Sequence, residues 1–284
     1  MKQIRKMKYI ICILFLGTLA MNSCGNSSRK DAKEPEFMGK FDSLVIAREK
    51  GPSTEYYYEN MVHHFTFPSK DSLLISADMY EHNPSPVKIL LCHQAGYSRG
   101  EYMTSAILLS QMGYNALAID QRSGEKANGI VNQTAKLALA DGLSTEYLEA
   151  KQDIEAAIDY LYECNGNHKI ILVGSSYSAS LALMIGKNNN KVKSVAAFSP
   201  GEYLTDIELS TELDSFAKPL FVTSSKMEIP QVTQLIKNID TNYVDHFKPE
   251  TAGIHGSRAL WSSTEGHKAY WKAFLLFLER QKEA

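Results

Sequence analysis

Short apolar strands alternate with amphipathic helices along most of this chain, and that alternation restricts the fold more than any other feature of the sequence. The candidate strands are SLLISADMYE, VKILLCH, YNALAID, HKIILVGSS, VKSVAAFSP and KPLFVTSS. Helical patterns such as EYMTSAILLSQMG and LSTEYLEAKQDIEAAIDYLYEC lie between them. Because parallel strands need a crossover between them, the pattern predicts an α/β fold with a mostly parallel central sheet and helices on both faces. No internal repeat is visible, so we expect one domain over residues 41–284.

The N-terminus has the features of an export signal. A basic segment precedes the apolar run IICILFLGTLAM, which is shorter than the roughly 20 residues needed to cross a bilayer. The stretch MNSCG resembles the cleavage site of bacterial lipoproteins, although Met21 stands where leucine is usual. The resemblance implies a signal peptide over residues 1–24, a lipid on Cys24 and a membrane-anchored lipoprotein of the bacterial cell envelope. The alternative is an ordinary cleaved signal that contains a cysteine.

The net charge and the cysteines indicate which classes of partner and cofactor the chain is expected to lack. The 30 basic and 32 acidic residues give a formal net charge of −2, which predicts no attraction to nucleic acid. Residues 25–40 are polar and charged, and we expect a flexible tether there. The domain keeps Cys92 and Cys164, whose surroundings predict buried free thiols. No Cys/His cluster has metal-site spacing, so we expect no metal and no organic cofactor.

Four strand ends carry chemical groups, and ligands of such sheets bind beyond the carboxyl ends of the strands. The first reads Gly174-Ser175-Ser176-Tyr177-Ser178. A nucleophile elbow needs small residues two positions before and after its serine, because the strand-to-helix turn is tight. Gly174 and Ser178 meet this condition for Ser176 and not for Ser175. The alternative is a close-packed strand–helix junction without chemistry.

The second strand end is followed by His255, in KPETAGIHGSRAL. It stands before Gly256, on a loop that can reach the ends of the strands. It also follows the candidate serine, in the order expected for a Ser-acid-His triad on this kind of sheet. We therefore predict that His255 is the general base; the alternative is a structural or surface histidine.

The third is the loop after KPLFVTSS, where Glu228 is the only carboxylate between Lys226 and Pro230. A carboxylate at this point would orient the imidazole and stabilise its cation. The competing acid is Glu202, with Asp206 behind it, in the loop after the preceding strand. Glu228 is also explained as an acid in the first turn of the helix that follows.

The fourth is LLCHQAGYSRGEY, where a turn offers backbone N–H groups for an oxyanion hole. We predict that the amide of Gln94 binds the oxyanion together with the amide of Tyr177, and Ala95 is the alternative to Gln94. His93 would then be structural. A plain glycine turn at Gly96 is the interpretation without chemistry.

Together these four strand ends resemble the α/β-hydrolase superfamily, and within it the dienelactone hydrolase-like enzymes and small serine esterases. The resemblance covers most of residues 60–284 and implies Ser176 as nucleophile, His255 as base and a carboxylate as its partner. Two positions depart from the family pattern. Ser178 replaces a glycine, and Met227 stands where aspartate is usual, so the acid must shift to Glu228 or come from elsewhere.

The sequence thus predicts a serine hydrolase that cleaves a carboxylic ester of a small molecule through an acyl-enzyme. Only the short segment 201–217 separates VKSVAAFSP from KPLFV, which leaves no room for a large cap domain. Two alternatives remain open at this point. One is a catalytically inactive scaffold used as a binding protein, and the other is a serine peptidase on the same fold.

Overall fold

A central sheet of eight strands organises the part of the chain that this computed structural model describes, residues 35–81 and 87–283. The strands of the sheet are β1 (Val62–Pro68), β2 (Leu74–Tyr80), β3 (Lys88–Cys92), β4 (Asn115–Ile119), β7 (Ile170–Ser175), β8 (Val192–Phe198), β9 (Leu220–Thr223) and β10 (Val244–Phe247). Their order is β1-β2-β4-β3-β7-β8-β9-β10, antiparallel at β1 and β2 and parallel from β4 to β10. The short strands β5 (Lys126–Ala127) and β6 (Ile130–Val131) form a separate antiparallel pair.

Helices cover both faces of this sheet, as predicted. They are α1 (Glu36–Lys50), α2 (Thr54–Met61), α3 (Met103–Gln111), α4 (Gln133–Ala140), α5 (Ala150–Cys164), α6 (Tyr177–Asn188), α7 (Leu209–Glu212), α8 (Ile229–Leu235) and α9 (His267–Glu283). One hydrophobic core holds α5, α6, α7 and α8, and a second core on the opposite face holds α1, α2, α3 and α9. Within residues 35–81 and 87–283, no helix combines the length and hydrophobicity that a membrane span requires.

Strand β3 shows why the apolar runs of the sequence form strands buried on both faces. Successive side chains of a strand point to opposite faces. Leu90 and Cys92 therefore enter the core beside α5 and α6, whereas Ile89 and Leu91 enter the core beside α3 and α9. A run of apolar residues without alternation is what such a central parallel strand requires.

Two N-terminal elements differ from the sequence-based expectation. Helix α1 begins at Glu36, inside the predicted tether of residues 25–40, and Met38 and Phe41 are buried against the second core. The domain therefore begins before residue 41. The stretch STEYYYENMVHHFTFP suggests strand-like alternation with aromatic residues, but its first part, Thr54–Met61, is helical. The Ser53 side chain caps this helix by accepting a hydrogen bond from the amide of Tyr56.

Other expectations concern cysteines, the cap and the signal. Both domain cysteines are free and Cys92 is buried, but the prediction that Cys164 is buried is wrong, since it ends α5 at the surface. The connection from β8 to β9 contains only the short helix α7, which agrees with the expected lack of a large cap. The predicted signal peptide with Cys24, and residues 25–34 of the predicted tether, lie outside the described residues.

Strand β7 and helix α6 approach each other so closely that residue 174 must be glycine. A Cβ added to Gly174 would overlap the backbone carbonyl of Ser178 and the Cα of Ala179. Both obstacles are backbone atoms, which cannot move away as the end of a flexible side chain can. The small residue that the elbow motif demands at this position is thus explained by the packing of backbone on backbone.

We expect Gly174→Ala to lower the free energy of unfolding by about 1–3 kcal/mol, the usual cost of overpacking a tight site. Gly39→Ala is the matched control. Gly39 lies within α1 with no atom near the position of an added Cβ, so this change should raise the free energy of unfolding by roughly 0.5–1 kcal/mol. Urea denaturation followed by circular dichroism measures both, and two variants of equal stability would contradict the packing argument.

Candidate active site

Ser176 occupies the sharp turn between β7 and α6. Its backbone has φ of 58° and ψ of −124°, a conformation that residues with a Cβ rarely adopt. The Ser176 amide donates to the carbonyl of Phe198 at 2.8 Å, which anchors the turn to the end of β8. Backbone strain held in place by surrounding structure is common at functional sites, and Ser176 itself is 8% exposed.

Ser178, which stands where the family pattern has glycine, links the turn to the end of β3. Its hydroxyl donates to the carbonyl of His93 at 2.6 Å and accepts a hydrogen bond from Gln121 Nε2 at 2.5 Å. A glycine would leave that carbonyl without this donor. The serine is therefore small enough for the turn and also fixes the neighbouring strand end.

His255 and Glu228 are in contact, as the sequence predicted that a base and its acid would be. The imidazole Nδ1 of His255 forms a short hydrogen bond with Oε1 of Glu228. Because an ionised carboxylate only accepts, the proton of a neutral imidazole lies on Nδ1 and leaves Nε2 free to accept another. Both side chains are partly buried, with 34% of His255 and 25% of Glu228 exposed.

The second carboxylate oxygen of Glu228 is held from two sides. It accepts hydrogen bonds from the Ser225 amide at 3.0 Å, the Ser225 hydroxyl at 2.6 Å and the Ser199 hydroxyl at 3.0 Å. Burial raises the pKa of Glu228, but the hydrogen bonds from His255 and Ser225 outweigh burial and lower the pKa to about 2. Glu228 thus caps the helical turn and orients the histidine at once, so the two interpretations of this acid are compatible.

Glu202, the alternative acid, is engaged elsewhere. Its two oxygens accept hydrogen bonds from the amides of Leu209 at 2.6 Å and Ser210 at 2.9 Å. These are the first amides of α7, which have no acceptor within the helix itself. The carboxylate of Glu202 therefore stabilises a helix end and makes no hydrogen bond to His255.

The turn after β3 corrects one predicted role. The amide of Gln94 donates to Oε2 of Glu101 at 2.7 Å, so it is not available to bind an oxyanion. Residues 94–97 form a turn closed by a hydrogen bond from Tyr97 to the Gln94 carbonyl, with Gly96 at φ of 71°. Among the described residues no acceptor meets the amide of Ala95, the alternative donor, or that of Tyr177 at the start of α6.

His93 has the structural position that was predicted for it. It is fully buried, and its Nδ1 lies 2.9 Å from the carbonyl of Gln94, which can only accept. Its Nε2 accepts from the amide of Gln121 at 3.1 Å, so the ring is neutral with its proton on Nδ1. Burial agrees with this state, since it lowers the pKa of His93 to about 4.

The loop that carries His255 packs directly on the residue before Ser176. The Ser257 amide donates to the Ser175 hydroxyl at 2.8 Å, and a Cβ on Gly256 would press against the same oxygen. The Ser176 hydroxyl itself makes no hydrogen bond within the described part of the chain. The observed link between the histidine loop and the elbow is therefore the contact of Ser257 with Ser175.

Sequence reasoning missed two residues at this site. Ser199, the residue after β8, has φ of 52° and joins Glu228 to the amide of Gly256 at 3.0 Å. Glu101 lies fully buried in a 3₁₀ turn, Arg99–Tyr102. The sequence held one clue to each residue. Ser199 is a polar residue at the end of a predicted strand, and Glu101 is an acid beside a predicted apolar helix.

A cavity of about 440 Å³ adjoins the acid of the candidate triad. It lies between the loop after β8 and α8, and Glu228, Tyr203 and Gln231 are among its lining residues. Neither Ser176 nor His255 lines it. The cavity nevertheless adjoins the histidine, since the Tyr203 ring lies 6.4 Å from the His255 ring, centre to centre.

Solved structures with this architecture include several hydrolases. An esterase of Pyrococcus furiosus is 19% identical, with a TM-score of 0.62 over 81% of this chain and 96% of that chain. A dienelactone hydrolase of Anabaena variabilis is 15% identical, with a TM-score of 0.57 over 77% and 96%. An acylaminoacyl peptidase of Pyrococcus horikoshii is 15% identical, with a TM-score of 0.57 over 81% of this chain and 44% of that chain. At these identities the likeness shows a shared α/β-hydrolase fold.

The sequence itself supplies a more specific relation. No curated protein matches it at a significant level. The model of a protein family described as the dienelactone hydrolase family, however, matches residues 80–246. That range runs from the end of β2 into β10 and includes the elbow, the turn after β3 and the loop of Glu228. Since it spans more than half of the chain, the protein belongs to the dienelactone hydrolase family of hydrolases.

Proposed function

We propose that this protein is a serine hydrolase that cleaves a carboxylic ester of a small molecule through an acyl-enzyme. The observation that carries the proposal is the hydrogen bond between Nδ1 of His255 and the carboxylate of Glu228. It gives His255 the tautomer that a general base needs, on a loop packed against the residue before Ser176. Family membership supports the reaction class, hydrolysis.

In this mechanism Ser176 Oγ attacks the carbonyl carbon of the ester, and Nε2 of His255 takes the hydroxyl proton. The amides of Tyr177 and Ala95 donate to the oxygen that becomes negative. His255 then gives its proton to the departing alcohol, and the acyl group stays on Ser176. A water molecule, activated by His255, releases the acid and restores the serine. These steps require no metal and no organic cofactor.

Glu228 also bears on the two alternative functions. The inactive scaffold was suggested by Met227, which stands where the family has aspartate. That side chain is 88% exposed, and the neighbouring Glu228 supplies the carboxylate instead. The main support for an inactive scaffold is therefore removed. A peptidase stays the second candidate, since an acylaminoacyl peptidase shares the fold over 44% of its own length.

Ser176→Ala should reduce kcat for p-nitrophenyl acetate by roughly 10⁴-fold or more, because the nucleophile is lost. A fluorophosphonate probe should label the unmodified protein, and mass spectrometry of the labelled peptide should place the adduct on Ser176. Ser194→Ala is the matched control, since the Ser194 hydroxyl is buried on another strand. Labelling of Ser175 or Ser178, or full activity in Ser176→Ala, would refute the proposal.

Glu228→Ala should lower kcat by roughly 10³–10⁴-fold, since the histidine loses the group that fixes its tautomer and stabilises its cation. Glu202→Ala should keep kcat close to that of the parent, because Glu202 bonds to the amides that begin α7. Steady-state kinetics with the same ester compares the two variants. The opposite ranking would make Glu202 the acid.

We also propose that the protein is a membrane-anchored lipoprotein of the bacterial cell envelope, carrying its lipid on Cys24. The support is the order of basic segment, apolar run and small residues before this cysteine. Expressed in bacteria, the full chain should incorporate an alkyne-labelled fatty acid and sediment with membranes. Cys24→Ser should lose the label. A soluble, unlabelled and shortened parent chain would instead identify an ordinary cleaved signal.

A further inference from the structure

Glu101 is a buried carboxylate that accepts hydrogen bonds from three segments of the chain. It lies in the 3₁₀ turn Arg99–Tyr102, and none of its surface is exposed. Its carboxylate accepts hydrogen bonds from the Gln94 amide at 2.7 Å, the Ser175 hydroxyl at 2.8 Å and the Ser257 hydroxyl at 2.5 Å. The three donors come from three separate segments of the chain, so a single side chain fixes their relative positions.

The first segment is the turn that carries a proposed oxyanion donor. Gln94 immediately precedes Ala95, and the Gln94 carbonyl shares a peptide plane with the Ala95 amide. That carbonyl is held by the Tyr97 amide at 3.2 Å and by Nδ1 of His93 at 2.9 Å, while Glu101 holds the amide of the same residue. Glu101 occupies the Gln94 amide, whereas the next amide, that of Ala95, meets no acceptor among the described residues. Glu101 thus excludes Gln94 from the oxyanion hole and holds the residue directly before the remaining donor, Ala95.

The other two segments carry the nucleophile and the base. Ser175 directly precedes Ser176, and Ser257 lies two residues after His255. Their hydroxyls meet at the same oxygen of Glu101, Oε1. The Ser257 amide also donates to the Ser175 hydroxyl at 2.8 Å, which closes a ring of hydrogen bonds. The distance between the elbow and the histidine loop is therefore fixed through Glu101.

The hydrogen bonds to Glu101 fit an ionised carboxylate. The Ser175 hydroxyl accepts the Ser257 amide, so its own proton points to Glu101, and the Gln94 amide can only donate. A carboxylate that meets only donors matches the ionised form. Burial raises the pKa of Glu101 above its usual range, and the hydrogen bonds from Ser257, Gln94 and Ser175 and the nearby charge of Arg258 offset only part of that rise.

We propose that Glu101 is a positioning residue that holds the Ala95 amide, Ser176 and His255 in their catalytic arrangement, an inference that rests on the proposed serine hydrolase function. Burying a carboxylate is costly, and within the described residues Glu101 forms no salt bridge. Packing alone would be served better by an apolar side chain. An apolar residue, however, cannot accept hydrogen bonds from all three segments, as the Glu101 carboxylate does.

The test is Glu101→Gln, which keeps the shape but turns one acceptor into a donor. With p-nitrophenyl acetate, kcat should fall roughly 100-fold while KM stays within about twofold, since misplacement affects the transition state more than substrate binding. The inhibition constant of phenylboronic acid, whose serine adduct places an oxygen in the oxyanion hole, should rise by a similar factor. Ser257→Ala keeps the charge and removes one donor, so kcat should fall about 10-fold.

Asp153→Asn controls for loss of a buried carboxylate as such. Asp153 is fully buried on α5, where it pairs with Arg122 at 2.7 Å. This variant should unfold at a lower temperature but keep kcat. A folded Glu101→Gln protein with unchanged kcat and boronate affinity would overturn the inference, as would equal losses of kcat in Asp153→Asn.

Should Glu101→Gln fail to fold, Ser257→Ala decides, and an unchanged kcat in that variant would overturn the inference. These results are distinguishable from failure of the proposed function itself. In that case the unmodified protein would not react with a fluorophosphonate at Ser176, whatever residue occupies position 101.

Discussion

The close approach of β7 to α6 is the constraint on which the candidate site depends. Backbone meets backbone at Gly174, so the chain can turn from strand to helix only within a few residues. The turn imposes positive φ on Ser176, and the same turn makes the Tyr177 amide the first of a helix without an internal acceptor. The strained serine and the free N–H beside it thus follow from one packing contact.

The loops around this turn are fixed by side chains that satisfy one another. Ser199 accepts the Gly256 amide and donates to Glu228, so the end of β8 joins the acid loop to the histidine loop. Ser178 joins α6 to the end of β3 through the carbonyl of His93. A buried polar group that loses its partner costs roughly 1–3 kcal/mol. Each of these hydrogen bonds therefore restricts where its loop can lie. These side-chain hydrogen bonds fix the positions of loops that have no regular backbone hydrogen bonding of their own.

The sheet and the position of the elbow could be predicted because both depend on local patterns. Buried parallel strands have continuous apolar sequences, and the elbow requires small residues at a fixed spacing around the serine. The contact between Glu228 and His255 could be proposed because both follow strands whose carboxyl ends share one edge of the sheet. Each of these inferences needs only residue type and order along the chain.

The errors arose where the outcome depends on partners distant in sequence. Gln94 was chosen as oxyanion donor because its position in the turn fits, but its amide is taken by Glu101, a pairing that the local motif does not reveal. The start of α1 before residue 41 depends on burial of Met38 against the second core, which a polar flanking sequence conceals. Cys164 ends α5, and only the packed helix shows which side of its last turn faces outward.

The proposed shift of the triad acid from position 227 to Glu228 is a property of the whole loop. Residues 226–228 form a 3₁₀ turn in which Met227 points to solvent, so an aspartate in its place would not face His255 in this conformation. Glu228 is one residue further along and one methylene longer, and Ser225 and Ser199 fix its second oxygen. Restoring aspartate at 227 alone would add a surface charge. The acid and the path of its loop therefore have to change together, and the serines that hold Glu228 belong to that change.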